Sequence, residues 1–399
     1  MLKKTTRIFT NVKALFNYPE ISSKLSRKRD LYFFFPYWSV GGAERVHIDI
    51  LTLFKDLAPL CFITEKSSGS AFRQAFEQAA TIVYLGRWAE KKAYKTYMLR
   101  KIAGTINQQD NAVIFGSNSR FMYDLIPLIA DHVTIIDLIH NFADGEEGAE
   151  WYSIPRVPRI DKRIILGHKI KDQFRELYKK NHISPAYLDR LTIIPNKIAL
   201  NTVLVKKNYS SPLQILFIAR NSPEKRTSVF LKIAYLCEKR NLPFQFCLIG
   251  NFHSLTESIP SNIKLTGELH QNEALNTYYS SAHLLLLTSY REGLPLVVFE
   301  GMNFGVVPVC TNVGELSNYI SAEQQNGILV ENLMNEDTLA ELFVEEILKM
   351  DNDRIKLKHF SENAFKTVKH RFNPDNFSAS YHSVIANNHP KNTNPIENS

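Results

Sequence analysis

Residues 283–310 read HLLLLTSYREGLPLVVFEGMNFGVVPVC. The leucine run between His283 and Thr288 has no polar interruption, so it reads as a strand buried on both faces. Residues 289–293 then form a loop. Leu294 and Pro295 open a helix, with proline at the first helical position, where its missing N–H is not needed. That helix ends near Gly305, and a new strand starts at Val306. Glu292 lies in the loop and Glu300 lies inside the helix. The exposed amides of Gly293 and Leu294, with the helix dipole behind them, form an anion site suited to a diphosphate. Glu292 beside them can accept hydrogen bonds from sugar hydroxyls. Glu300 can take both donors of a cis-diol such as a ribose, because an ionised carboxylate accepts two at once. A plain structural glutamate is hard to reconcile with position 300, since VVFEGM surrounds it with apolar residues and an unpaired charge there is costly.

Strand–helix alternation extends from this segment in both directions. Short apolar runs fall at residues 31–35, 60–63, 81–85, 112–115, 133–139, 163–166 and 191–194, with amphipathic stretches such as 43–57, 90–106 and 168–180 between them. A second series falls at 214–219, 244–250, 262–265, 283–288 and 306–309. Strands apolar on both faces, alternating with helices, predict parallel sheets covered on both sides. The expected fold class is α/β, with two Rossmann-like doubly wound domains facing a central cleft. The polar stretch KKNYSSP, residues 206–212, reads as the linker. The domains expected are 30–205 and 213–373, with ligands at the carboxyl ends of the strands.

The chain has 399 residues and a net charge of +8, which suggests a polyanionic partner. The charge is uneven. Residues 1–29 carry eight Lys and Arg against the single Glu20, a net +7. A helix over 2–16 would put Leu2, Ile8, Phe9, Val12, Leu15 and Phe16 on one face and the cations on the other, the pattern of an anchor on an anionic membrane surface. A solvated tail is the plain alternative. A second basic stretch, 151–180, holds nine Lys and Arg against three acids, and is read as a solvated helix face ahead of an attraction toward a lipid diphosphate. The basic residues lack interleaved aromatics, so no nucleic-acid partner is expected. Cys61, Cys237, Cys247 and Cys310 form no CxxC pair and sit in apolar runs, which points to core packing and a cytoplasmic location. Residues 387–399 read as a disordered tail.

The E-x7-E pair in EGLPLVVFE resembles the donor-site signature of retaining glycosyltransferases of family four, with the GT-B fold. The likeness runs over most of residues 31–386. It implies that Arg220 and Lys225 in FIARNSPEKRTSVF hold the donor diphosphate. It also implies that Gly41 and Gly42 in SVGGAERV line the cleft opposite the donor, and that His140 after VTIIDLI lies by the donor sugar. Asn118 in FGSNS and Asn196 in IIPN sit at strand ends, Gly250 follows a strand, and Gly314 in TNVGELSNYI allows close approach. NGILV, residues 326–330, matches a recurring Asn–Gly turn, and residues 376–385 resemble the last GT-B helix, which packs on the first domain. Three positions depart from the family pattern: Ala219, Arg226 and Phe252 stand where it has glycine.

The resemblance implies transfer of a sugar from a UDP- or GDP-sugar donor to an acceptor hydroxyl, with retention and no required metal or cofactor. The catalytic candidates are His140, Glu292, Arg220 and Lys225, and the donor-binding ones Gly41, Gly42, Gly293, Leu294 and Glu300. It also implies a glycan or lipid-linked acceptor in surface polysaccharide synthesis, reached from the inner face of the plasma membrane. A nucleotide-sugar epimerase and a non-catalytic nucleotide-sugar-binding or scaffold protein remain open as rivals.

Overall fold

The computed structural model describes residues 18–386 apart from 40, 68, 144–147, 253–258 and 270–271, and leaves the side chains of 87, 272 and 386 aside. The expected helix over 2–16 and the tail 387–399 lie outside the described residues. The described residues divide into two compact units, residues 18–194 with 376–386, and residues 195–375.

The first unit is built on seven parallel strands: β1 (Leu31–Phe35), β2 (Leu60–Ile63), β3 (Thr81–Tyr84), β4 (Val113–Ser117), β5 (Thr134–Ile139), β6 (Lys162–Ile165) and β7 (Leu191–Ile193). Their order in the sheet is β3-β2-β1-β4-β5-β6-β7. All five residues of β1, LYFFF, are buried, because helices cover both faces and leave no wet side. Two neighbours fix its register, Phe33 opposite Cys61 on β2 and opposite Phe115 on β4. The helix Tyr18–Leu25 buries Ile21 and Leu25, and Lys24 donates to the Ile82 carbonyl, so this part of the basic stretch 1–29 is anchored in the unit. The helix Pro374–Ala386 also belongs here, with Tyr381 wholly buried near Phe115 and His382 against Phe54.

A buried ion pair joins β5 to β6. Arg163 donates through Nε and Nη2 to the Asp137 carboxylate, the shortest contact being 2.7 Å, and through Nη1 to Tyr178; the Tyr123 hydroxyl donates to the same carboxylate at 3.0 Å. Every charge in this cluster has a partner, which offsets its desolvation. Arg163 was counted in the basic stretch 151–180, and its sealed pairing removes it from any surface charge. Arg159 also turns inward, onto the carbonyls of Ala130 and Val133, and Arg156 bonds the Tyr123 carbonyl.

The second unit carries six parallel strands: β8 (Gln214–Ile218), β9 (Gln245–Ile249), β10 (Ile263–Gly267), β11 (Leu284–Leu287), β12 (Val307–Thr311) and β13 (Ile328–Val330), in the order β10-β9-β8-β11-β12-β13. Sequence order reverses between β8 and β11, which pair directly. That is the crevice position where open parallel sheets hold ligands. The Asn–Gly pair at 326–327 leads into a sixth strand that the sequence series did not include, Ile328–Val330, pairing β12. Asn326 is fully buried and bonds Tyr319, Ser321 and Thr367, which ties down the segment before the strand. Pro295 is the N-cap rather than the first helical residue, and the helix runs Leu296–Asn303. Gly305 follows at φ +70 and closes it.

Candidate active site

Two loops meet at the reversal point of the second sheet, one after β8 and one after β11. They are stitched together by hydrogen bonds that fall mostly on backbone carbonyls. The Tyr290 amide donates to the Glu224 carbonyl at 3.0 Å, and the Thr288 hydroxyl reaches the carbonyls of Lys225 and Arg226 at 2.8 and 3.0 Å. Arg226 fastens the seam. Its guanidinium donates to the carbonyls of Thr288, Leu333 and Ser289 and to the Asn332 side chain. Its backbone sits at φ +48, a left-handed conformation that costs a non-glycine residue about 1–2 kcal/mol. Glycine would relieve that strain but could not bond four acceptors.

Above this seam Lys225 Nζ meets Glu292 Oε1 at 2.5 Å, both side chains less than one-fifth exposed. The Ser289 hydroxyl donates to the same oxygen at 2.7 Å. Glu292 Oε2 therefore remains open to a further donor. Gly293 and Leu294 follow, both buried, and no backbone partner is found for their amides among the described residues. They precede the helix Leu296–Asn303, whose dipole favours an anion at this end. Glu300 is half-buried on that helix, and the Tyr279 hydroxyl donates to its Oε2 at 3.1 Å. Arg220 stands apart: more than half exposed, it approaches Glu224 at 4.0 Å and is free to fold onto a ligand.

Two glycines press the loops together. A Cβ at Gly314, at φ +55, would lie 2.1 Å from the Gly293 carbonyl oxygen, and one at Gly250, at φ +143, would lie 2.0 Å from that of Ala219. The departures at 219 and 252 also have structural reasons. Ala219 has no positive φ among the described residues and its methyl packs on the core. Phe252 is 4% exposed and turns its ring into the core near Phe217, so the position contributes packing where the family pattern has backbone alone.

In the first unit Gly41 and Gly42 form the turn from β1 into the helix Gly42–Leu53. Gly41 is extended, at φ −179, a conformation open to any residue. Asn118 follows β4, exposed and at φ +50, which asparagine tolerates better than most. His140 follows β5. Its Nε2 lies 3.1 Å from Nε2 of His47, and both rings are buried. Burial pulls His140 down to about 4 and His47 well below its ordinary value, so the pair is neutral at physiological pH. Asn196 is 5% exposed and its Oδ1 has no partner. His47, Tyr279, Ser289 and Arg226's clamping role escape any motif. A histidine on the apolar face of VHIDI was the one legible sign of the first.

Residues 205–367 match the model of the family "Glycosyl transferases group 1", a stretch that contains every second-unit site residue above except Asn196. An uncharacterized glycosyltransferase of Haemophilus influenzae is 24% identical over 315 residues, covering 75% of this chain and 85% of that one. A Campylobacter jejuni α-1,4-N-acetyl-D-galactosaminyltransferase, named for a diNAcBac-PP-undecaprenol-linked glycan, is 26% identical over 202 residues, 47% of this chain and 53% of its own. The crystal structure of Anabaena Alr3699/HepE in complex with UDP-glucose superposes with a TM-score of 0.70 at 15% identity, covering 90% of this chain and all of that one. Residues 205–367 are thus similar to group 1 glycosyl transferases, and the relatives named here are glycosyltransferases. Its α/β fold of two Rossmann-like units is that of GT-B glycosyltransferases, as the sequence led one to expect.

Replacing Arg226 by glycine removes the backbone strain and the four side-chain bonds together. The bonds outweigh the strain, since hydrogen bonds from a charged donor contribute about 1.5–3 kcal/mol each. Hydrogen exchange at the Tyr290 amide, bonded across the seam to the Glu224 carbonyl, is expected to quicken at least tenfold in R226G. Unchanged protection would show that the guanidinium does not hold the seam.

Proposed function

We propose that the chain is a retaining glycosyltransferase, moving a sugar from a UDP- or GDP-sugar to an acceptor hydroxyl. The observation that carries the reading is the Lys225–Glu292–Ser289 cluster beside the Gly293 and Leu294 amides, at the reversal point of a sheet within the matched family domain. The UDP-glucose complex of the Anabaena protein supports a nucleotide-diphosphate donor.

The residues divide the work as follows. Lys225, Arg220 and the two amides take the diphosphate. As the bond from the anomeric carbon to the phosphate oxygen breaks, negative charge grows on the diphosphate, and fixed cations and dipoles stabilise that state more than the ground state. Glu292 Oε2 receives a hydroxyl of the donor sugar. Glu300, steadied by Tyr279, takes the ribose diol. His140 is assigned to hydrogen-bond the donor sugar, as the family resemblance implies. The acceptor oxygen bonds the anomeric carbon on the face the phosphate leaves, which retains configuration, and its proton passes to the departing phosphate oxygen.

The acceptor is read as a lipid-linked glycan of surface polysaccharide synthesis, an extension supported by the printed name of the Campylobacter relative. No helix among the described residues is long and apolar enough to cross a membrane. The basic amino-terminal segment is proposed to rest on an anionic membrane face.

Glu300→Ala is expected to lower transfer at least a hundredfold while circular dichroism and thermal midpoint stay near wild type, because the half-buried carboxylate serves a ligand rather than the core. Wild-type turnover in this variant would remove Glu300 from the donor site. Deleting residues 1–17 leaves the anchored helix Tyr18–Leu25 in place and removes Lys3, Lys4, Arg7 and Lys13. Sedimentation with anionic vesicles should fall several-fold, and undiminished sedimentation would refute the anchor.

A further inference from the structure

The paired histidines of the first unit hold an unused piece of chemistry. His47 lies on the helix Gly42–Leu53 at 0% exposure, its ring stacked on Phe35 at 4.1 Å. His140 lies at the end of β5 at 8% exposure. Their Nε2 atoms are 3.1 Å apart, a hydrogen-bond distance that admits one proton between two nitrogens. With both rings neutral, only two arrangements are available.

In the first, His47 carries its proton on Nε2 and donates, leaving its own Nδ1 bare. His140 then accepts at Nε2 and carries its proton on Nδ1. In the second, the roles are exchanged, and His47 must carry an N–H on Nδ1. Each arrangement contains one ring of each tautomer, so intrinsic tautomer preference cancels. The environment of His47 Nδ1 decides. That atom is sealed from solvent and has no partner. A buried N–H without an acceptor is rarer and worse tolerated than a buried lone pair without a donor. The first arrangement is therefore favoured.

We propose that His47 is a positioning residue that fixes His140 in the Nδ1–H tautomer, so that the free edge of His140 is a hydrogen-bond donor. Nδ1 of His140 is not sealed as that of His47 is. It presents an N–H to an oxygen lone pair, such as that of a sugar hydroxyl, and has no lone pair with which to accept a proton there. Within the proposed glycosyl transfer, on which only the identity of that oxygen rests, His140 acts as a donor to the sugar and not as a base.

The test is two-bond proton–nitrogen correlation on the full chain labelled with 15N-histidine, with His140→Gln assigning the resonance among the 12 histidines. Wild type should show His140 protonated on Nδ1. His47→Gln, whose amide can donate from nearly the same place, should preserve that state. His47→Leu should release His140 into an Nε2–H or mixed population and lower kcat about three- to tenfold, the worth of one neutral hydrogen bond, with rescue in His47→Gln. An Nε2–H tautomer of His140 in wild type overturns the proposal, as does an unchanged tautomer in a folded His47→Leu. If His47→Leu does not fold, the wild-type and His47→Gln spectra still decide. The spectra need no substrate, so failure of the transferase reading alone would leave them unaffected.

Discussion

The candidate donor site depends on one constraint: two loops from strands that diverge at a sheet reversal must be held at a fixed separation. A parallel sheet supplies the crevice but not the closure, because each loop leaves its strand toward solvent. Closure comes from Arg226 on the loop after β8, which accepts a left-handed backbone and spends its guanidinium on oxygen atoms of the loop after β11 and of the segment after β13. Gly314 and Gly250 act in the opposite sense, letting backbones approach where any Cβ would collide. With the loops fixed, Lys225 and Glu292 are brought within bonding distance, and the first amides of the following helix sit beside them.

Much of this fold was legible in the sequence because parallel strands buried on both faces are uninterrupted apolar runs. LYFFF, LCFI and LLLL can hardly be read otherwise. The strand that went unread, β13, has three residues and follows an Asn–Gly pair, so local turn chemistry masked a pairing made only by tertiary context. The helix opening was misplaced by one residue because Pro295 fits both the cap and the first turn. At the site, the segment around Glu292 and Glu300 stood out through its glutamate spacing and glycine. His47 and Tyr279 did not, since each sits among apolar neighbours and its partner lies far away in sequence.

The three positions lacking the glycine of the family pattern show how position decides the meaning of a substitution. At 219 no positive φ is needed and alanine adds packing. At 252 the ring enters the core. At 226 the left-handed conformation persists and the side chain more than offsets it. Charge needs the same attention to place. Arg163 is the most deeply buried cation of the basic stretch 151–180 and neutralises Asp137, so it adds nothing to a surface field. The exposed Lys and Arg of the helix His168–Lys180 do.

The central claim is that the Lys225–Glu292 seam receives a nucleoside diphosphate. Calorimetric titration of the full chain with UDP-, GDP-, ADP- and CMP-sugars tests it most directly, run in parallel on wild type and Lys225→Met. The account predicts that a diphosphate sugar binds wild type, that the monophosphate CMP-sugars do not, and that Lys225→Met weakens binding about ten- to a hundredfold, the worth of one hydrogen bond from a charged group. Equal binding to a folded Lys225→Met, or tighter binding of CMP-sugars than of any diphosphate donor, would contradict it.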